Sequence, residues 1–210
     1  MENFDIVMLY SGGADSVLML KLAMMAKKIP YCVLIDYGQK HIKELNYAEN
    51  QLKDNNTKYQ IVKIDNLGIN SGLTGEYVEA RWENVHAMNV PGRNTIFIGL
   101  AISIAENMGI DEVWYGADYS DRIDLFPDCY QEYVVIMNEV LAISGAKPIK
   151  LVAPLLGMPK ELILETLRNY FNIQLADVHS GYTTEPVCTC KYGSCDVDCD
   201  KCPIERGDFY

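Results

Sequence analysis

The sequence reads Leu9-Tyr10-Ser11-Gly12-Gly13-Ala14-Asp15-Ser16-Val17-Leu18 close to its start, and this stretch decides the fold. The apolar run 6–9 is typical of a buried strand, and the pattern that follows predicts a helix over 15–27. Two glycines at a strand-to-helix turn let the backbone approach a ligand closely, because neither has a Cβ. The N–H groups and the dipole of the new helix favour an anion at that place. The stretch therefore predicts a phosphate-binding loop, with a tight glycine-rich turn as the alternative.

No lysine follows the glycines, so the loop is not of the Gly-x-x-x-x-Gly-Lys-Ser/Thr type. The pattern Ser-Gly-Gly-x-Asp-Ser instead resembles the pyrophosphate loop (PP-loop) of N-type ATP pyrophosphatases, which split ATP into AMP and pyrophosphate. Asp15 cannot neutralise phosphate, so we expect it to bind Mg²⁺ or to cap the loop, with a plain helix cap as the alternative. The other residues expected to bind ATP in this segment are Leu9, Tyr10, Ser11, Gly12, Gly13 and Ser16.

The composition limits the classes of partner. A net charge of −11 over 210 residues argues against a protein that grips a nucleic-acid backbone. The longest apolar stretch, 95–105, is too short to span a bilayer. The first residues are acidic, unlike a secretion signal, so we expect a cytoplasmic enzyme with a small-molecule substrate and without nucleic-acid or membrane partners.

Strand and helix patterns alternate along the chain. The predicted strands cover 6–9, 31–36, 59–64, 112–116 and 149–153. The predicted helices cover 15–27, 41–53, 95–108, 130–144 and 160–171. This alternation predicts a doubly wound, mostly parallel α/β sheet, in which ligands bind at the carboxyl ends of the strands. We expect one such domain over 1–178 and a cysteine-rich segment over 179–210 that belongs to the same compact unit.

Five of the seven cysteines crowd into this last segment. They are Cys188, Cys190, Cys195, Cys199 and Cys202. Short spacings between thiols are typical of a tetrahedral zinc site, and a polar segment without an apolar face needs such a source of order. Four thiolates would close the coordination shell, so we expect a structural Zn²⁺. Disulfides and a redox thiol pair are the alternatives.

Four further motifs resemble those of the 7-cyano-7-deazaguanine synthase family. They are Asp36-Tyr37-Gly38-Gln39-Lys40-His41, Val90-Pro91-Gly92-Arg93-Asn94, Pro127-Asp128-Cys129, and Pro154-Leu155 ahead of Lys160-Glu161. The resemblance implies an adenine nucleotide α-hydrolase-like fold and the conversion of 7-carboxy-7-deazaguanine and ammonia to the nitrile with two ATP. Adenylate and amide intermediates are implied, with release of AMP and pyrophosphate. The cofactors would be ATP, Mg²⁺ and Zn²⁺, and a homodimer is possible because relatives are commonly dimers.

The same motifs contain the residues expected around the substrates. Tyr37, Gly38 and Gln39 follow the second predicted strand, where adenine or ribose would rest. Arg93 is a candidate catalytic residue with Ser11, Asp15 and Ser16, because it could clamp a carboxylate or phosphate, although a surface ion pair is an alternative. Asn94 offers donor and acceptor to the base edge or caps the following helix, and Asp128 is expected to accept N–H groups of the base.

The chain departs from the family pattern at several places, and two of them concern the zinc ligands and the substrate pocket. Gly181 stands where the family usually has cysteine, and Tyr130 stands where it usually has arginine. These departures keep open a related amidating ligase that acts on another carboxylate. A tRNA thiolation enzyme would need a basic surface that the net charge opposes. A non-enzymatic nucleotide-binding module would have little use for Arg93, Asn94 and Asp128.

Overall fold

The computed structural model describes residues 3–38, 42–65, 67, 92–120, 126–145, 147–174, 178, 188–190 and 193–195. Its centre is a five-stranded sheet in the order β3-β2-β1-β4-β5, and every neighbouring pair is parallel. The strands are β1 (Ile6–Leu9), β2 (Pro30–Asp36), β3 (Lys58–Lys63), β4 (Glu112–Trp114) and β5 (Lys150–Val152). The sheet confirms the predicted α/β fold.

Helices connect these strands. They are α1 (Ala14–Met25), α2 (Ile42–Asp54), α3 (Arg93–Met108), α4 (Gln131–Ser144) and α5 (Lys160–Phe171), and a 3₁₀ turn (Pro127–Cys129) precedes α4. A separate antiparallel pair, β6 (Cys188–Cys190) and β7 (Gly193–Cys195), lies in the cysteine-rich segment. None of the helices in the described ranges is long and apolar enough to cross a membrane.

The core has two layers because successive strand residues point to opposite faces of the sheet. Ile6 and Met8 pack with buried residues of α1, α2 and α5. Val7, between them, packs with buried residues of α3 and α4 on the other face. Helices therefore cover both faces, as the prediction of a doubly wound sheet required.

Helix α3 begins earlier than predicted. Gly92 precedes it in the left-handed conformation, with a φ of 71°, which a glycine adopts without steric cost. Arg93 and Asn94 consequently occupy the first turn of the helix instead of the end of a loop. The alternative that Asn94 caps the helix was wrong, because Gly92 is the N-cap and no side chain there bonds the backbone.

A side-chain amide covers the outer backbone of β5. Asn138 donates from Nδ2 to the Leu151 carbonyl at 3.0 Å, and the Leu151 N–H donates to Asn138 Oδ1 at 2.9 Å. This pair of hydrogen bonds imitates a neighbouring strand, so another strand could not pair at Leu151 without displacing Asn138.

Candidate active site

The candidate site lies where the connections change sides of the sheet. The loop after β1 and the segment after β4 emerge side by side, because these two strands are neighbours. The connection that leaves β1 runs through α1 on one face, and the one that reaches β4 comes from α3 on the other. Such a switch point opens a crevice at the carboxyl edge, where doubly wound folds bind ligands.

The glycine-rich loop is held in shape by its two serines. The Ser11 N–H donates to Ser16 Oγ at 3.0 Å, and the two hydroxyl oxygens are 2.8 Å apart. Gly13 is the N-cap of α1 and no side chain of the described residues caps that helix end. The first N–H groups of α1 are therefore suited to an anionic ligand.

Both the backbone conformation and the close approach of α2 require a glycine at position 12. Its φ is +83°, a region that L residues rarely adopt. A Cβ built on it would lie 2.8 Å from the Ala48 Cβ on α2. The loop therefore packs directly on α2, and any side chain at this position would push them apart.

Asp15 does not cap the helix, and its carboxylate faces a lysine that sequence reasoning did not assign to the site. Lys160 Nζ, at the start of α5, lies 2.7 Å from each carboxylate oxygen of Asp15. It also lies 2.7 Å from Oδ2 of Asp118, which follows β4. We call Asp15, Lys160 and Asp118 the lysine triad.

Burial and charge act together in the lysine triad. Asp118 is fully buried, whereas the side chains of Asp15 and Lys160 are each 24% exposed. Burial raises the pKa of Asp15, and nearby Asp118 raises it further, so the attraction of Lys160 offsets only part of the shift. Burial by itself would lower the pKa of Lys160, but the two carboxylates outweigh it and raise that pKa. The ammonium is therefore a permanent positive charge beside the phosphate loop.

Backbone contacts fix Asp118 relative to α5. The Ser120 N–H donates to Asp118 Oδ1 at 2.7 Å, and Ser120 Oγ accepts the Lys160 backbone N–H at 2.9 Å. The Tyr119 N–H donates to the Met158 carbonyl at 3.0 Å. The segment after β4 is thus joined to the first turn of α5, which carries Lys160.

Four of the predicted substrate residues also meet at this edge. Arg93 Nη1 donates to the Tyr37 hydroxyl at 3.4 Å, and its guanidinium carbon is 5.8 Å from the centre of the Tyr37 ring. Asn94 Nδ2 donates to Asp128 Oδ2. We call Tyr37, Arg93, Asn94 and Asp128 the arginine cluster. Tyr37 follows β2, the neighbour of β1, so the cluster and the phosphate loop share one edge of the sheet.

Aromatic residues support the arginine cluster. Phe97 packs against Tyr37 with ring centres 5.3 Å apart. The buried Tyr115 hydroxyl donates to the Asp128 carbonyl at 2.8 Å and ties the 3₁₀ turn to the end of β4. Cys129 is buried beside it and belongs to the core on that face of the sheet.

The remaining predicted residues fall in three groups. Leu9 and Tyr10 belong to the core, and the Tyr10 hydroxyl donates to Gln51 Oε1 at 2.9 Å. Gly38 donates its N–H to Asp36 Oδ1 at 3.2 Å, whereas Gln39 lies outside the described residues. The backbone pairs Cys188 with Cys195 and Cys190 with Gly193, and Cys199 and Cys202 lie outside the described residues.

The donor atoms at this edge of the sheet bear on metal binding. The described side chains include no group of three or more His, Cys, Asp and Glu that could hold an ion. Asp15 nevertheless offers the kind of oxygen donor that Mg²⁺ prefers, and a phosphate ligand would supply further oxygens. The chemistry of the loop therefore fits Mg²⁺ brought in with a nucleotide.

Lys160 and Asp118 are the functional candidates that sequence reasoning missed. The sequence did contain a signal for Asp118. Gly116-Ala117-Asp118 directly follows a strand, and residues in that position lie at the carboxyl edge of the sheet. Gly116 also lies against α1, since a Cβ there would be 3.4 Å from the Asp15 Cβ. Nothing local to Lys160 indicated its partner.

A glycine-rich loop at the switch point of a doubly wound parallel sheet, with a half-buried lysine beside it, defines a nucleotide-binding α/β protein of the PP-loop class. The family model described as "Queuosine biosynthesis protein QueC" matches residues 5–208, so the chain belongs to this family.

Relatives with assigned names agree with that membership. The chain is 32% identical to the 7-cyano-7-deazaguanine synthase of Psychromonas ingrahamii over 168 residues, 76% of either chain. It is 33% identical to the 7-cyano-7-deazaguanine synthase of a Marinomonas species over 196 residues, 90% of this chain and 89% of the relative.

One solved structure supports the fold. A predicted subunit of a tRNA methyltransferase from Methanocaldococcus jannaschii has a TM-score of 0.51 and 18% identity, covering 77% of this chain and 72% of that chain. At this identity, the likeness concerns the fold alone.

Proposed function

We propose that the chain is a 7-cyano-7-deazaguanine synthase, which converts 7-carboxy-7-deazaguanine and ammonia to the nitrile with two ATP. One observation carries the proposal. In a member of the QueC family, the phosphate loop and the arginine cluster lie at the same edge of the sheet. A nucleotide and a carboxylate bound at these two places would be neighbours.

The first step joins the carboxylate to AMP. A carboxylate oxygen attacks the α-phosphorus of ATP, and the bond to pyrophosphate breaks. The chain's contribution is to stabilise charge on the leaving phosphates, which is the main demand of such a transfer. Ser11, Ser16 and the backbone of Gly12 and Gly13 would donate to these oxygens.

Lys160 supplies the fixed positive charge for the same step. Its ammonium lies beside the loop, held by Asp15 and Asp118. Asp15 would hold Mg²⁺ when the nucleotide is bound, and the ion would neutralise further phosphate charge. In this arrangement Lys160 leaves Asp15 and turns to a phosphate oxygen.

Ammonia then displaces AMP from the adenylate and gives the primary amide. A second ATP activates the amide oxygen in the same way, and loss of two protons and AMP leaves the nitrile. The same loop would serve the adenylation of the carboxylate and that of the amide. The substrate carbon that becomes the nitrile must therefore stay in place between the two steps. Arg93, Asn94 and Asp128 would hold the deazaguanine, Asn94 and Asp128 through its polar edge and Arg93 through the carboxylate.

The cysteine-rich segment 179–210 would hold one structural Zn²⁺ and complete the domain of residues 1–178. What supports this is the spacing of Cys188, Cys190, Cys195, Cys199 and Cys202, together with the backbone pairing of Cys188 with Cys195. Short spacings between cysteines are typical of a zinc knuckle. The ion would stabilise the segment and take no part in the reaction.

We also propose a homodimer that packs through α4. Its exposed apolar residues include Ile136 at 59% and Ile143 at 87% exposure. Glu132 lies in the first turn and Lys147 just past the last, so an antiparallel pair of α4 helices would bring opposite charges together. Sedimentation of Ile136→Glu tests this, because Ile136 lies near the middle of α4 and a charge at the centre of such a contact should give monomers.

The net charge of −11 supports a further part of the proposal, because it disfavours tRNA and favours a free base as the substrate. The cytoplasm is the proposed place of action.

The test is mass spectrometry of a reaction with 7-carboxy-7-deazaguanine, ammonium, Mg²⁺ and ATP. We expect the nitrile with two AMP per base. An amide as the end product would indicate an amidating ligase, and no AMP would contradict the proposed substrate. Ser11→Ala and Asp15→Ala should lose pyrophosphate release while remaining folded, and full activity of both would contradict the loop assignment.

A further inference from the structure

Two carboxylates hold the ammonium of Lys160, Asp15 through two hydrogen bonds and Asp118 through an ion pair. An ammonium has three N–H donors. Lys160 Nζ lies 2.7 Å from both carboxylate oxygens of Asp15 and 2.7 Å from Oδ2 of Asp118. An ammonium held this closely by two carboxylates would move away from one of them to contact a phosphate oxygen.

The two partners differ in how readily they can be given up. Asp15 lies in the first turn of α1, beside the glycine-rich loop, and its side chain is 24% exposed, so a phosphate can approach it. Asp118 is fully buried, and its other carboxylate oxygen is fixed by the Ser120 N–H at 2.7 Å. A buried carboxylate that lost its cation would be strongly destabilised, whereas Asp15 can be satisfied by water or an ion.

We propose that Asp118 is a positioning residue for Lys160. Asp118 keeps its contact with the Lys160 ammonium while the ammonium leaves Asp15 and binds a phosphate oxygen. This inference rests on the proposed ATP-dependent function. The anchor leaves the ammonium with one fixed contact and two donors that are free to turn. Without it, a lysine released from Asp15 would move on a flexible four-carbon stem.

If Asp118 is such an anchor, its replacement should lower the rate of turnover without weakening nucleotide binding. Replacing Asp118 by asparagine keeps an oxygen for the Ser120 N–H and removes one negative charge near the phosphates. Nucleotide binding should therefore not weaken, because less charge repels the phosphates. The rate should fall about 10- to 100-fold, the cost expected when a catalytic group is misplaced by about 1 Å.

The experiment compares the full chain, Asp118→Asn and the matched control Glu112→Gln. Glu112 lies at the opposite end of β4 in an ion pair with Lys28, so the control makes the same chemical change away from the site. Calorimetry measures the Kd of α,β-methylene-ATP, and pyrophosphate release measures kcat. We expect a Kd within about threefold of the parent for both variants and a reduced kcat for Asp118→Asn alone.

A second measurement observes the ammonium directly, independently of turnover. An immobilised lysine gives a ¹⁵Nζ signal, which Lys160→Gln would assign. We expect the signal in the free parent, in its complex with the analogue and in free Asp118→Asn, where Asp15 still holds the ammonium. It should be lost in the complex of Asp118→Asn.

Two results would overturn the anchor. One is a ¹⁵Nζ signal that persists in the complex of Asp118→Asn, and the other is a variant with unchanged kcat. Failure of the proposed function looks different: the parent would then release no pyrophosphate with 7-carboxy-7-deazaguanine, although its ¹⁵Nζ signals would still test the anchor. A parent that binds no analogue would contradict both.

Discussion

Lys160 binds both carboxylate oxygens of Asp15 at 2.7 Å, although 145 residues separate the two in the chain. This contact ties the start of α5 to the start of α1, directly beside the glycine-rich loop. The N–H groups of the loop, the positive end of the α1 dipole and the ammonium therefore create one region of positive electrostatic potential at the carboxyl edge of the sheet.

Removing the ammonium should destabilise the fold. Lys160→Met leaves two carboxylates close together, one of them fully buried, so we expect a loss of about 3 kcal/mol in the free energy of unfolding. Urea denaturation at pH 7 measures it. Adding Asp118→Asn to Lys160→Met should recover part of the loss, because one unpaired charge disappears. Equal stability of Lys160→Met and the parent would contradict the lysine triad.

Gly12 should not tolerate a side chain. Gly12→Ala places a Cβ 2.8 Å from the Ala48 Cβ at a φ of +83°, so we expect a loss of about 2 kcal/mol and of pyrophosphate release. Gly99→Ala is the control, because this glycine lies inside α3 with nothing within 4 Å of a new Cβ. There we expect a gain of about 0.5 kcal/mol. Equal thermal shifts for both variants would refute the packing of the loop on α2.

Asp128→Asn should weaken the binding of the base and leave the binding of the nucleotide unchanged. Asn94 donates to Asp128, and an amide in place of the carboxylate cannot accept from both Asn94 and the base equally well. We expect the KM for 7-carboxy-7-deazaguanine to rise about tenfold, as for loss of one charged hydrogen bond, with the KM for ATP unchanged. Steady-state kinetics with each substrate varied distinguishes the two. A rise in the KM for ATP alone would place Asp128 on the nucleotide.

Stability should depend on pH through Glu112. Burial opposes the charged form of Glu112, but hydrogen bonds from Lys28 and Trp114 outweigh it and hold its pKa below the ordinary value of 4.5. Since the folded pKa is the lower one, the stabilisation is present above 4.5 and is lost as the pH falls through the folded pKa.

Glu112→Gln should therefore flatten the stability curve below about pH 4.5, with a loss of about 1 kcal/mol or less at pH 7, since the pair is partly exposed. Urea titrations from pH 7 to pH 3 measure this. If the free energy of unfolding of Glu112→Gln fell below pH 4.5 as steeply as that of the parent, the ion pair would contribute nothing to stability.

Zinc should be bound in the last segment of the chain. Elemental analysis of the purified protein should find about one zinc per chain, the content of a single four-thiolate site. A strong chelator should remove it and expose segment 179–210 to proteolysis, while the sheet remains folded. Cys199→Ser should lower the zinc content, with Cys32→Ser as a control, because Cys32 is buried in β2. A protein without zinc would refute the site.

The helices and strands were predictable because their signals are local. Apolar spacing placed α5 at 160–171 and β1 at 6–9, which are also their bounds in the structure. The start of α3 was missed by two residues, since Gly92 begins that helix through its backbone conformation and not through a capping side chain. The glycine-rich loop was also readable, because a turn without Cβ atoms between a strand and a helix has few other uses.

The sequence by itself determined the class of fold, and it predicted the glycine-rich loop and the residues Arg93, Asn94 and Asp128 as parts of one site. The tertiary structure decided which side chains face one another there. Asp118 reaches Lys160 because β4 lies next to β1, and Tyr37 reaches Arg93 because β2 lies on the other side of β1. Strand order follows from packing the whole chain into two layers around one sheet, and no local pattern carries it.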